Sequence, residues 1–468
     1  MAVDWQDPRF RAIIIIAVIF VLSIFLGQIV TGFSYKITLA LILSALVFLI
    51  TLVNTDVGLA VLIFSMLLSP EIVLGQVPGR DVIIRFDDIL LIVITFAWLA
   101  KTAINKGLAL FVKTPLNKAI SFYILVCLTA TLRGVALGYV NPAKGFFYVL
   151  RYVEYFLLFI LVVNHIHSRK QIKFFLYAFF LTCALVSIYG ILQIPSGVRV
   201  SAPFEGEVGE PNTFGGYLLL ILCIAAGIFF QNVPKRLKQA LGGLCLLIII
   251  PFLYTLSRSS YLAIIFSFLI FIILSKRRMV LITAMVAIIL AGIVLKPEAV
   301  YSRVKYTFQE KHESLAKIGT IYFDASSSAR LFSWKESFQE WKKSPILGRG
   351  ITGYRFIDGQ YIRTLPELGI VGFLALLWLL WSIFRHTLVV HKKMDDELYK
   401  GLTLGFIAGF VGLTIHALTS NTFIVIRIME PFWFIAGIIM VLPSFMEKEL
   451  EANEALKAEL TGKDGIKK

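Results

Sequence analysis

The sequence predicts an all-α polytopic integral membrane protein with about 12–14 transmembrane helices, taking about twenty apolar residues per crossing. One long extracytoplasmic loop carrying amphipathic helices is expected to interrupt them. Three observations carry this reading. Of the 468 residues, 58% are hydrophobic and only 16% charged. The apolar residues are gathered in runs near membrane-spanning length, and a single long polar stretch, Lys296 to Glu367, breaks the series. Backbone groups inside a bilayer must be satisfied internally, so the runs are read as helices; the alternating pattern of a barrel is absent.

Runs of spanning length start near Arg11, Lys36, Asp56, Asp88, Leu116, Phe146, Lys173, Thr213, Ala240, Tyr261, Met279, Leu368, Gly401 and Glu430. The boundaries around Asn54 to Asp56, and those of the last two spans, are the least sharply drawn. Arg9 and Arg11 ahead of the first run resemble a signal-peptide n-region. The run is too long for one, and no small-residue cleavage site precedes Tyr35, so an uncleaved first helix is expected. This gives transmembrane helices with short loops over 1–295 and an extracytoplasmic loop forming part of the functional site over 296–367. C-terminal helices follow over 368–446, and a cytoplasmic tail over 447–468.

The formal net charge is +16. Its basic clusters fall at alternate connections: Lys101/Lys106/Lys113/Lys118, Arg169/Lys170/Lys173, Lys235/Arg236/Lys238, Lys276/Arg277/Arg278 and Lys392/Lys393/Lys400. The positive-inside rule makes this a topology signal, not a nucleic-acid footprint. Both termini are then cytoplasmic and the long loop faces outward. Cys127, Cys183, Cys223 and Cys245 lie in apolar spans at unrelated spacing, which fits neither a disulfide framework nor a zinc site. Gly348, Gly350 and Gly353 follow no strand and lack a Walker lysine, so no nucleotide fold is expected. Neither Asp87-Asp88, which opens a span, nor the cytoplasmic Asp395-Asp396-Glu397 has metal-motif spacing; no metal and no cofactor are expected.

Five polar places gather outside under this topology: Arg80 to Asp88, Arg133 to Lys144, Arg199 to Asn212, Ser257 to Ser260, and the long loop. Within the loop, Val300, Val304 and Phe308 recur at helical spacing. Leu331, Trp334, Phe338 and Trp341 do the same before Pro345 stops the helix. Arg151 and Glu154, an i, i+3 pair inside a span, are expected to neutralise each other. His416 is expected to be a hydrogen-bonded interior residue.

Several strings stand in a telling order: Arg199 before Pro211-Asn212, then Ser257-Arg258-Ser259 opening a span. Ala329-Arg330-Leu331-Phe332-Ser333-Trp334 follows, then Ser344-Pro345-Ile346-Leu347-Gly348-Arg349-Gly350, and finally Gln360-Tyr361 through Leu365, Glu367, Gly369 and Gly372. This series resembles the O-antigen ligase/polymerase superfamily of bacterial envelope glycosyltransferases. The resemblance spans roughly Arg199 to Gly372; upstream, only the pattern of spans agrees. Ligases of lipid A-core share a His-Asn/Ser/Gln-x9-Gly-x-x-Gly pattern, and counting back from Gly369 lands on Asp358. A carboxylate thus stands where the ligase histidine would, which inclines the reading toward a polymerase-type member.

The resemblance implies an enzyme of the bacterial inner (plasma) membrane with its active site facing the periplasm. It would be a metal-independent inverting glycosyltransferase. Its donor would be an undecaprenyl-pyrophosphate-linked glycan, its acceptor another glycan or lipid A-core, with membrane lipids and a chain-length regulator as further partners. Fixed cations would stabilise the leaving pyrophosphate, and Arg199, Arg258, Arg330, Arg349 and Arg363 are the supply. Arg258, Arg199, Arg330 and Arg363, with Asn212 and Gln360, are the expected substrate-binding residues; for Arg258 the plainer role is snorkelling to the interface. Asp358 is the first candidate for general base and Glu367 the second. Their plainer roles are a turn former before Gly359 and a first-turn carboxylate on a helix dipole. Glu205, Glu207 and Glu210 either bind sugar hydroxyls or solvate their loop. A lipid-linked oligosaccharide flippase, or a non-catalytic envelope scaffold, are readings from other classes. The outward concentration of polar residues and the lack of repeated halves count against a transporter.

Overall fold

Helices form where the apolar runs are, and the breaks between them have local causes. The structure, a computed structural model, describes residues 35–77, 80–104, 112–205, 209–275 and 325–465, with short pieces at 278–279, 282–283, 308–309, 317–318 and 321–323. The span expected from Arg11, and most of the one from Met279, lie outside the described residues. The first described helices, α1 (Tyr35–Val53) and α2 (Thr55–Leu68), are parted at Asn54, whose side chain accepts from the Asp56 amide at 3.0 Å. The antiparallel strands β1 (Glu71–Val77) and β2 (Arg80–Arg85) follow, with a bulge between Val73 and Gly75, and lead into α3 (Phe86–Ile104). This hairpin was not expected in an all-helical chain. Its origin is local: the apolar, β-branched runs Ile72-Val73-Leu74 and Val82-Ile83-Ile84 flank Pro78-Gly79.

The helices α4 (Asn117–Ala136), α5 (Pro142–His165) and α6 (Arg169–Gln193) come next. Asn141 caps α5 ahead of Pro142, and Ser168 with Gln171 forms a capping box on α6. They are followed by α7 (Pro211–Phe229), α8 (Lys235–Tyr254) and α9 (Arg258–Leu274), the last capped by Ser257. In the loop, β3 (Phe308–Gln309) and β4 (Lys317–Ile318) each pair with β5 (Ile321–Phe323). Phe308 is therefore in a strand and not in the first amphipathic helix expected there; Val300 and Val304 lie outside the described residues. The second expected helix is α10 (Ala325–Trp341), which ends before Pro345. Then come α11 (Gln360–Lys393), α12 (Glu397–His416), capped by Asp396, and α13 (Ile426–Gly465). Among the described residues, eight helices are long and apolar enough to cross a membrane: α4 to α8 and α11 to α13. This is the polytopic helical architecture the composition predicts.

The chain divides into two compact units, Met1–Val61 with Ile89–Lys106, and Leu62–Asp88 with Gly107–Lys468. In the first, Gly58 packs so closely on Thr51 that a Cβ would lie 2.2 Å from its hydroxyl, and Lys101 reaches Thr55 at 3.4 Å. In the second, α7 and α12 approach through small residues: a Cβ on Gly227 would stand 2.5 Å from the Gly401 carbonyl, and one on Gly405 would stand 2.4 Å from that of Cys223. Trp433 and Phe434 of α13 pack edge-on against Phe156, Phe159, Phe175 and Phe179 of α5 and α6.

The second unit sorts its connections to two ends. At one, Arg169 pairs with Asp396 at 3.2 Å and the Asn232 amide donates to Glu397 at 3.1 Å, which brings three expected basic connections together. At the other, Arg133 donates to the Gly348 carbonyl at 2.6 Å, Thr419 to Ser259 at 2.7 Å, and Arg427 to the Pro203 and Leu67 carbonyls at 2.9 and 2.8 Å. Of the polar places expected to gather on one face, Arg133 to Lys144 thus touches the long loop, and the segments at Pro203 and Ser259 are each held by the C-terminal helices or their connection.

Candidate functional site

Two of the singled-out strings serve each other. The turn 345–350 packs against 366–371. Arg349 and Gly350 amides donate to the Pro366 and Glu367 carbonyls at 2.9 and 2.8 Å; Ile370 and Val371 amides donate to Pro345 and Ile346 at 2.8 and 3.2 Å. Gly369 breaks α11 at φ 66°, ψ −167°. A Cβ there would fall 2.2 Å from the Ile346 carbonyl oxygen, and one on Gly348 (φ 62°) would fall 2.5 Å from the Glu367 carbonyl. Both positions need glycine for backbone angle and for space. Glu367, expected at a helix N-terminus, lies within α11. It is 5% exposed, ion-paired with Arg363 at 3.1 Å, and accepts from the Thr352 amide at 3.3 Å. Arg363 is equally buried, its guanidinium 4.7 Å over the Phe356 ring. Arg349 pairs with Glu340 and covers the Tyr139 ring at 5.0 Å. Gln360 is buried, and its backbone N–H donates to the Ala417 carbonyl at 2.9 Å.

Beside this packed region is open volume. A cleft of about 340 Å³ is lined by Arg199, Asn212, Phe356, Asp358, His416 and Ser420, among others. Arg199 is held by the Thr255 carbonyl at 2.9 Å, the Leu256 carbonyl at 3.4 Å and the Asn212 side chain at 3.2 Å. The sequence elements Arg199, Pro211-Asn212 and Ser257-Arg258-Ser259 are therefore one cluster. Arg258 itself opens α9 next to Ser259, whose hydroxyl lies 3.5 Å from that of Ser420 on the cleft wall. A second cavity, of about 520 Å³, is lined by Arg330, Ser333, Arg355, Phe356 and Asp358. Phe356 and Asp358 belong to both cavities and form the ridge between them.

Asp358 is 47% exposed in its side chain, and Arg330 pairs with it at 3.3 Å. The Trp334 indole donates to its carbonyl at 2.8 Å, so α10 fixes its backbone. Gly359, at φ 104°, lets the chain turn directly into α11. The carboxylate is thus positioned without being enclosed. A pair this exposed is weak, and a ligand can exchange for either partner.

His416 belongs to the cleft, which the sequence reading missed. It is 1% exposed; Nδ1 is 2.8 Å from the Thr422 hydroxyl, and Nε2 is buried with no hydrogen-bond partner. The available signal was an imidazole at the end of an otherwise apolar span, which is functional by default. Glu210 also lines the cleft and accepts from Thr213 at 2.7 Å. Glu205 is instead buried against Arg427 at 3.5 Å, and Glu207 lies outside the described residues. The Arg151–Glu154 pair is not self-contained: Arg151 also pairs with Asp88 of α3 at 3.5 Å, and Glu154 Oε1 is buried.

Residues 243–377 match the model of the family described as O-antigen ligase. The match takes in Arg258, Arg330, Asp358 and Glu367, and leaves Arg199, Asn212 and His416 outside it. No curated protein matches the chain.

Proposed function

We propose that this polytopic membrane protein, whose residues 243–377 match the O-antigen ligase family model, transfers a lipid-pyrophosphate-linked glycan to an acceptor glycan at the paired cavities. That match supports a glycosyltransferase of the O-antigen ligase kind; the donor, the acceptor and the residue roles are our reading. The observation that carries it is the position of Asp358, common to a cavity holding Arg199 and Asn212 and to one holding Arg330.

On this reading, undecaprenyl pyrophosphate enters the Arg199 cavity, where guanidinium and amide donors meet its oxygens. Arg258, at the start of α9, adds positive charge near Ser259. The acceptor occupies the Arg330 cavity and places a hydroxyl at the ridge. Its proton passes to the Asp358 carboxylate as its oxygen attacks the anomeric carbon. The bond from that carbon to the pyrophosphate breaks, with inversion, and undecaprenyl pyrophosphate leaves with the electron pair. The cavities open at the end opposite the basic connections, so positive-inside topology turns them toward the periplasm. Asp358 at the ligase-histidine position favours polymerisation of repeat units; attachment to lipid A-core is the alternative.

The test is complementation of a deletion strain. Loss of a polymerase leaves single repeats on the lipid anchor, and loss of a ligase leaves long unattached chains. A catalytic base contributes about 10²–10⁴ in rate, so Asp358→Asn should insert normally and yet fail to restore the glycan, while Asp358→His should recover part of it. Wild-type glycan from Asp358→Asn removes the base assignment. For orientation, an impermeant maleimide on spheroplasts should modify Ser326→Cys and spare Lys393→Cys.

A further inference from the structure

The same end of the second unit buries a second group of charges, which the proposed chemistry does not use. Arg85 pairs with Asp87 at 2.6 Å, Arg151 with Asp88 at 3.5 Å, and Arg427 with Glu205 at 3.5 Å. Three guanidiniums thus serve a group that holds five carboxyl side chains, Glu154 and Glu430 among them. Glu430 of α13 is 0% exposed and neither of its oxygens has a hydrogen-bond partner; Glu154 Oε1 and Asp88 Oδ1 are buried and unpartnered as well. Burying an unpaired carboxylate costs far more than a folded chain can spare, so these groups either take up protons or share a cation from outside the described side chains.

Geometry favours the cation. One carboxylate oxygen from each of Asp87, Asp88 and Glu430 lies within 4.8 Å of the others. Oxygens sharing one Ca²⁺ at about 2.3–2.6 Å stand no more than about 5 Å apart. All the donors are hard oxygens, with no thiolate or imidazole among them, which suits a hard cation. The Ser69 hydroxyl and the Arg85 guanidinium already hold the two Asp87 oxygens in place, as second-layer partners orient metal ligands. We propose that Asp87, Asp88 and Glu430 bind a divalent cation of the size of Ca²⁺, with Glu154 beside it. The ion would clamp the start of α3 to α13. Val425, just before α13, and Ile428 within its first turn line the cleft, so the clamp would fix one of its walls.

The test uses the full chain purified in detergent. Wild type should retain stoichiometric divalent metal by elemental analysis, and chelation should lower its unfolding midpoint. Ca²⁺ should restore that midpoint with a dependence on the logarithm of its concentration. Glu430→Gln keeps the size of the side chain and removes one ligand charge; it should lose both the metal and the Ca²⁺ response, and Asp88→Asn should do likewise. A wild-type midpoint indifferent to chelator and to Ca²⁺, with no bound metal, overturns the proposal: the carboxyl groups then carry protons, and Glu430→Gln should be as stable as wild type. The wild-type measurement decides the question even if neither variant folds.

Discussion

Residues 345–350 and 366–371 meet through four backbone hydrogen bonds and leave no space between them, whereas Arg199, Asn212, Asp358 and His416 surround open volume. Both regions lie at the same end of the second unit and share Phe356, whose ring stacks under buried Arg363 and also lines the cleft. The difference separates two uses of a motif. The glycine- and proline-rich strings satisfy one another's backbone and hold the long loop against α11. The chemistry we propose takes place in the gap beside them, between side chains supplied by four segments.

That separation can be broken by substitution. Gly369→Ala should have the largest effect on folding. Its backbone angles are nearly exclusive to glycine, a cost of about 1–3 kcal/mol for another residue, and the clash with the Ile346 carbonyl adds to it. The variant should unfold at markedly lower temperature in detergent and accumulate poorly. Gly138→Ala, at φ 74° with nothing within 4 Å of a Cβ, should cost less in the same measurement. Wild-type stability in Gly369→Ala would mean the two strings are not interlocked.

Arg199→Lys should do the reverse. An ammonium keeps the charge, but it cannot bridge the Thr255 carbonyl and the Asn212 side chain while also meeting a pyrophosphate. Folding should change little, and the initial rate of transfer should fall by about tenfold or more, equivalent to about 1.4 kcal/mol. Arg349→Lys, which alters only the pair with Glu340 and the contact on Tyr139, should keep most of its rate. Equal rates in the two variants would erase the distinction between the regions. The smallest effect belongs to Glu336→Gln. Its pair with Arg355 is 60% and 49% exposed, so stability should move by no more than about 0.5 kcal/mol.

Legibility in the sequence followed the range of the interactions. The spans were readable because twenty apolar residues in a row have few other fates, and α10 was readable because Pro345 and the Leu331–Trp341 spacing are local. The hairpin before α3 was readable too, since Pro78-Gly79 lies between β-branched runs, but hydropathy alone merged it into a polar connection. The cluster of Arg199, Asn212 and the Ser257 turn was anticipated only through resemblance; no spacing rule links residues so far apart. His416 was dismissed because a lone imidazole in a span is ordinarily a satisfied interior group. Only the structure brings it beside Asp358 with Nε2 unpartnered. Glu430 was read as the start of a span, and its approach to Asp87 and Asp88 is tertiary.

The central claim is that the donor occupies the cleft, and protection of a cleft residue tests it most directly. Ser420→Cys in a cysteine-free background places a thiol on the cleft wall with little change in size. Its modification by a small methanethiosulfonate reagent should be slowed by saturating undecaprenyl-pyrophosphate glycan, while modification of Ser344→Cys beside the packed turn should be unaffected. Undiminished modification of Ser420→Cys under saturating donor would contradict the account and move the donor site elsewhere.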